Sequence, residues 1–97
     1  MRFLANSRAA DGVTREQLVR FFDENHFSTT AWDLIRHRVV TEYALKEGDP
    51  PGVVFFLVAD SLGEAAGIVN ELPVVKLGLL TFEIDPIGKT MHLVPGT

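Results

Sequence analysis

The sequence contains no cysteine, which excludes disulfide scaffolds, thiolate nucleophiles and cysteine-ligated zinc together. Basic residues are few: nine Lys plus Arg stand against thirteen Asp plus Glu, a net charge of −4 at pH 7. A nucleic-acid partner needs a basic face to neutralise phosphates, so this balance argues against one. No apolar run approaches the roughly 20 residues that span a bilayer, and residues 1–6 are too short an apolar stretch for a signal peptide. The expectation is a cytoplasmic protein without a membrane partner. A Gly-rich phosphate loop and a G-x-S-x-G elbow are both missing. The three histidines stand at 26, 37 and 92, without the His-x-x-His or His-x-x-x-His spacing of a metal site. The chain is therefore expected to use no metal and no cofactor.

Apolar residue, by contrast, is abundant. Ninety-seven residues are 46% hydrophobic, with a mean hydropathy of +0.16. That composition excludes a disordered chain, and the length sets one domain over residues 1–97, with 86–97 as a C-terminal tail. A chain of this size buries roughly two-thirds of its unfolded surface, enough for one thin core. The apolar content exceeds what so small a monomer needs.

Residues 2–6 predict a short first strand. Thr14-Arg15-Glu16-Gln17 is a capping box, with the Thr hydroxyl at N-cap and Gln three residues on. From there Leu18, Phe21, Phe22, Asn25, Thr29, Trp32 and Arg36 fall within one stripe at 100° per residue, predicting a single long helix to about His37. Ser28-Thr29-Thr30 has weak helix propensity, so a break near His26 is the alternative. Residues 38–46, rich in Val, Thr and Tyr, predict a second strand. The turn Gly48-Asp49-Pro50-Pro51-Gly52 leads into a third at 53–59, forming a hairpin. Ser61-Leu62-Gly63-Glu64 opens a second, short helix to about Asn70. Glu71-Leu72-Pro73 stops it, and residues 77–85 predict the last strand. The order is β-α-β-β-α-β: an α+β, ferredoxin-like arrangement with a four-stranded antiparallel sheet and both helices on one face.

A sheet with helices on one face and water on the other alternates apolar and polar residues. Residues 53–59 do not alternate, and residues 77–82 barely do. Seven consecutive apolar residues imply a strand covered on both faces, and helices cover only one. The other face is expected to meet the same face of a second copy. A monomer with an exposed apolar patch is the alternative.

The run Ala59-Asp60-Ser61, the short helix, Leu72-Pro73-Val74-Val75 and then Gly78-Leu79-Leu80-Thr81-Phe82-Glu83-Ile84-Asp85-Pro86-Ile87 resembles the muconolactone isomerase-like branch of the dimeric α/β-barrel superfamily. The resemblance is close over the C-terminal third and extends over the rest as a pattern of elements. It implies a ferredoxin-like fold, a homodimer whose two sheets face each other, often built into larger rings, and a small-molecule cavity between sheet and helices. The family contains cofactor-free isomerases, polyketide cyclases, small monooxygenases and members without known activity. Muconolactone isomerase is described as moving a proton with charged groups early in its first helix, a stretch where this chain has Arg15 and Glu16. The resemblance implies the fold and leaves the reaction and substrate open.

Candidate site residues follow from the long helix and the strands. Asn25, Thr29 and Arg36 interrupt an otherwise apolar stripe, and buried polar groups are costly unless paired. They point either to a solvated pocket or to hydrogen bonds with the sheet. His26 is a candidate general base, since an imidazole exchanges protons near neutrality. Asp33 lies two turns further on, about 10 Å of rise, too far for a direct bond but placed to flank a ligand. Tyr43 shares a face with Thr41 and Leu45 and offers a hydroxyl to an enolate or phenolate oxygen, or else sits in the core with its hydroxyl at the rim. His26, Arg36 and Tyr43 are thus the catalytic candidates. Phe22, Asn25, Thr29, Trp32 and Phe55, with Phe21, would line a pocket for a small hydrophobic ligand. Glu83 is either an interface partner for a basic group or a pocket carboxylate. His37 and Arg38 fit a helix C-terminus, where cations complement the dipole, and His92 lies in the tail. Two functions remain open: a cofactor-independent isomerase or cyclase acting on a lactone, enone or polyketide-like substrate, and a non-catalytic ligand-binding or assembly protein.

Overall fold

The computed structural model describes the backbone of residues 1–25 and 29–88, and their side chains except those of residues 25 and 29–32. The elements are β1 (Arg2–Ala9), α1 (Arg15–Asn25), α2 (Thr29–Arg36), β2 (Val40–Lys46), β3 (Gly52–Val58), α3 (Leu62–Asn70), α4 (Pro73–Lys76) and β4 (Leu80–Ile87). The strands form one antiparallel sheet in the order β2-β3-β1-β4. This is the ferredoxin-like α+β arrangement expected from the sequence.

Both helix starts lie where the capping residues put them. The Gln17 amide donates to Thr14 Oγ1 at 3.3 Å, and the Thr14 amide donates to Gln17 Oε1 at 2.8 Å. At α3 the Glu64 amide donates to Ser61 Oγ, while the Glu64 carboxylate accepts from the Asp60 amide, each at 3.1 Å.

Several boundaries differ from expectation, and the first strand runs on to Ala9 rather than ending at Asn6. Helical residues are described over α1, Arg15–Asn25, and α2, Thr29–Arg36, and whether one helix runs through His26 lies outside the described residues. Leu72-Pro73 ends one helix and starts another. Pro73 occupies the first turn of α4, where a missing amide hydrogen costs nothing. The Gly78 and Leu79 amides then donate to the Val75 and Val74 carbonyls at 2.9 and 3.1 Å, with Gly78 at φ 74°. That is a Schellman ending, so residues 77–79 form a turn and the last strand starts at Leu80. The strand also runs through Pro86 to Ile87 rather than stopping at Asp85. Proline is tolerated there because β4 is an edge strand.

The core lies on one face of the sheet. Phe3 and Ala5 of β1, Phe55 and Leu57 of β3 and Leu80 of β4 are buried there against Leu18 and Phe21 of α1, Ala65 and Val69 of α3, and Val74 of α4. Burial of each large side chain is worth about 1.5–3 kcal/mol. From Leu80 to Asp85, β4 alternates buried or half-buried with exposed residues, contrary to the expectation of two covered faces. The apolar surplus before it belongs to the turn, where Leu77 is exposed. Only β3 carries an unbroken apolar run.

Ser7 is the one buried polar residue among those described. Its Oγ accepts from the Val53 amide at 2.7 Å, and a Cβ at Gly52 would stand 2.6 Å from it. Glycine is required at the start of β3 by that close approach.

Candidate functional site

Cross-strand register decides which side chains face the helices. Tyr43 pairs with Phe55 and Leu45 with Val53, so all four project to the core side of the sheet. The register slips between Val40 and Glu42, leaving Thr41 as the extra residue of a bulge. Val40 thereby joins the core face, and Thr41 drops out of the row in which the sequence alone placed it beside Tyr43.

Among the described residues, no helix roofs this part of the sheet. Phe55 is 6% exposed, whereas its neighbour Tyr43 is 62% and Leu45 76% exposed. Phe55 packs edge-on against Phe82, with ring centroids 5.3 Å apart. Phe21 and Phe22 of α1 meet in the same manner at 5.7 Å, with Phe22 half-buried against the core. The result is a shelf on β2 and β3, with an aromatic floor, an apolar step at Leu45 and one phenolic hydroxyl. Such a surface suits a flat, largely apolar ligand carrying an oxygen that accepts from Tyr43.

Phe22, Phe55 and Tyr43 are thus on the helix side of the sheet. His26 lies outside the described residues, as do the side chains of Asn25, Thr29 and Trp32. Arg36 departs from its expected position on the sheet-facing stripe: its side chain is 70% exposed and its Nη1 stands 3.8 Å from Asp33 Oδ1, one turn earlier. Glu83 is exposed and pairs in register with Asn6 on the opposite face of the sheet, 4.0 Å from Arg8. It is not a carboxylate of the helix-side shelf. Arg15 and Glu16 stand on the outer face of α1, where with Val19, Arg20, Asp23 and Glu24 they border a concavity of about 510 Å³.

One polar cluster escaped sequence reasoning. Lys46 Nζ donates to Asn6 Oδ1 at 2.8 Å and to the Ser7 carbonyl at 2.9 Å. Lys46 lies on β2 and Asn6 on β1, with β3 between them. The lysine crosses at Gly52, its register partner, where no side chain stands in the way. A glycine facing a lysine is the signal, visible only once the register is known. A concavity of about 140 Å³ opens beside it, lined also by Arg8, Glu47, Pro50 and Pro51.

Among the described residues there is no group of three or more His, Asp or Glu placed to hold a metal ion. Nor is any described helix long and apolar enough to cross a membrane.

No family model matches the sequence, and no curated protein does. The fold does have a solved counterpart. The 5-chloro-2-hydroxyhydroquinone dehydrochlorinase of Burkholderia phenoliruptrix AC1100, solved in complex with 2,5-dihydroxybenzoquinone, superposes with a TM-score of 0.68. The match covers 93% of this chain and 96% of that one at 18% sequence identity. At that identity the likeness establishes a shared fold and nothing about the reaction.

Proposed function

We propose that the chain is a small cofactor-independent enzyme of the isomerase or cyclase type, related to muconolactone isomerase. It acts by acid–base chemistry on a small hydrophobic lactone, enone or polyketide-like substrate. The observation that carries this reading is the unroofed shelf, where the exposed Tyr43 hydroxyl stands beside the buried ring of Phe55. A ligand carbonyl accepting from Tyr43 gains stabilisation as it becomes an enolate, since the donor is fixed on a strand before charge develops. His26 is assigned as the base that removes the proton from the adjacent carbon and returns it elsewhere on the ligand. Phe22, Asn25, Thr29, Trp32 and Phe55 form the binding surface, and Arg36, exposed beside Asp33, stands outside it. The structural counterpart binds a planar dihydroxyquinone, a ligand of the oxygen-bearing, flat kind that the shelf accommodates.

The protein is further proposed to act as a homodimer joined through the sheet face opposite the helices. Leu4, Val54, Phe56 and Val58 lie on that face, and Val58 is exposed. A particle mass of at least twice 10.7 kDa is the expected result in solution.

The exposed Asp33–Arg36 pair favours a second reading, a non-catalytic binding or assembly protein of the same fold. The test uses Trp32, the only tryptophan, as a fluorescent reporter while 2,5-dihydroxybenzoquinone, hydroxyquinone analogues and unsaturated lactones are titrated. The enzyme reading expects saturable quenching, turnover of at least one compound, and a turnover loss of about 10²-fold or more in Tyr43→Phe with binding largely kept. Binding without turnover across the panel supports the second reading. Absence of binding overturns the shelf as a site.

A further inference from the structure

The polar groups at the hairpin end of the sheet stand apart from the Tyr43 shelf. Side chains alternate along β2, so Lys46 leaves the strand on the face opposite Leu45 and Tyr43. Its ammonium is half-buried and carries three hydrogens. Two go to neutral oxygens, Asn6 Oδ1 at 2.8 Å and the Ser7 carbonyl at 2.9 Å. Among the described residues no carboxylate stands within 4.0 Å of it, the ion pairs there joining Arg8 to Glu83, Arg36 to Asp33 and Lys76 to Glu71. A cation drawn partly out of water without a counter-charge is costly.

Ser7 shows a matching deficit. It is 2% exposed, and its Oγ accepts from the Val53 amide at 2.7 Å. A hydroxyl also donates, yet the hydrogen of this one meets no acceptor among the described residues. Gly52 is what lets the two groups converge: a Cβ there would stand 2.6 Å from Ser7 Oγ and 3.6 Å from Lys46 Cδ. Both side chains line the concavity of about 140 Å³, together with Arg8, Glu47, Pro50 and Pro51. Arg8 has an exposed pairing with Glu83 at 4.0 Å, a contact weak enough to exchange for a better one.

The lining states what it would hold. At roughly 30 Å³ per water-sized group, the space suits about four or five such groups. Two cations and one carboxylate, Arg8 and Lys46 against Glu47, leave a net charge of +1, which suits a monoanion better than a dianion. Prolines carry no amide hydrogen, so the rings of Pro50 and Pro51 supply an apolar wall. We propose that this concavity binds the carboxylate of a short aliphatic acid. One oxygen accepts from the Lys46 ammonium and the Ser7 hydroxyl, the other from the Arg8 guanidinium, and a stem of one or two carbons lies against the proline rings. The site is independent of the enzyme reading above, because none of its residues belongs to the shelf.

Titration with propionate tests it, followed by NMR on isotope-labelled protein with sodium chloride at matched ionic strength as the control. The Ser7, Lys46 and Gly52 amides should shift saturably at millimolar propionate and stay in place in chloride. Formate, which lacks the stem, should bind about threefold or more weakly. Inorganic phosphate at about pH 8, mostly the dianion, should also bind about threefold or more weakly, since Glu47 opposes its second charge. Arg8→Gln, which leaves both lysine bonds in place, should weaken propionate by about threefold, and Lys46→Met by about tenfold. If the methionine variant fails to fold, the glutamine variant decides. Glu47→Gln, at an exposed position, should raise the affinity for phosphate more than that for propionate. Shifts that rise linearly with any salt, or propionate binding unchanged by Arg8→Gln, would overturn the site. Phosphate binding as tightly as propionate to the parent chain would overturn the carboxylate assignment.

Discussion

At the scale of single residues, the contacts that decide most were the least legible in the sequence. Gly52 reads locally as the end of a turn, and it is one. Its stricter requirement comes from Ser7, far away along the chain, whose Oγ would stand 2.6 Å from a Cβ at that position. The same Oγ holds the Val53 amide, so the two positions act as a unit. Gly52→Ala should cost about 1–3 kcal/mol through overpacking, and Ser7→Ala about 1–3 kcal/mol through the unpaired amide. The alanine at 52 finds its obstacle gone once Ser7 is truncated. The double variant should therefore lose less than the sum of the singles, by about 1 kcal/mol or more in urea denaturation. Strict additivity would mean that Ser7 does not set the glycine requirement. Arg36 illustrates a different kind of illegibility. Its place on the helical stripe comes from spacing alone, which does not weigh the Asp33 carboxylate one turn earlier, 3.8 Å from its guanidinium, nor the solvent that keeps both exposed.

Among elements, those with short-range chemical signatures were readable and those set by competition between neighbours were not. The capping residues Thr14 and Ser61 announce α1 and α3 because the bonds that fix them span only three residues. Pro73 reads as a stop, yet proline suits a first helical turn equally well, and Gly78 five residues on marks the far end of that turn. The end of α2 carried no such mark. It closes with the same Schellman pattern, the Val39 amide donating to the Leu34 carbonyl at 2.9 Å, but the left-handed position is Arg38, at φ 59°. A side chain there is strained where glycine is not. Arg38→Gly is therefore expected to stabilise the fold by about 0.5–1 kcal/mol. For a domain of this size that raises the melting temperature by about 3–6 °C in calorimetry. A neutral or destabilising result would show that the arginine side chain contributes more at this position than its backbone costs.

For the whole molecule, the apolar surplus is more narrowly placed than composition suggested. Residues 77–79 belong to a turn and β4 alternates, so only β3 has an uninterrupted apolar run. That strand divides its residues between two jobs. Phe55 and Leu57 are buried under the helices, while Phe56 and Val58 project to the other face, half-buried and exposed respectively. The sequence displayed the surplus because period-two patterning is local, whereas the register that centres Phe56 between Leu4 and Glu42 is a property of three strands together. The division also lets the proposed homodimer be tested apart from folding. Phe56→Lys removes the largest ring from the open face without touching Phe55, Leu57 or Leu18 beneath the helices. It also adds a cation to a face already holding Arg2, Arg8 and Lys46. Loss of a well-placed interface aromatic typically costs more than 2 kcal/mol, or about thirtyfold in affinity. The variant should therefore sediment as a monomer at micromolar concentration while its circular dichroism and cooperative unfolding persist. A dimer of unchanged stability would remove the open face from assembly, and an unfolded chain would mean that Phe56 serves the core after all.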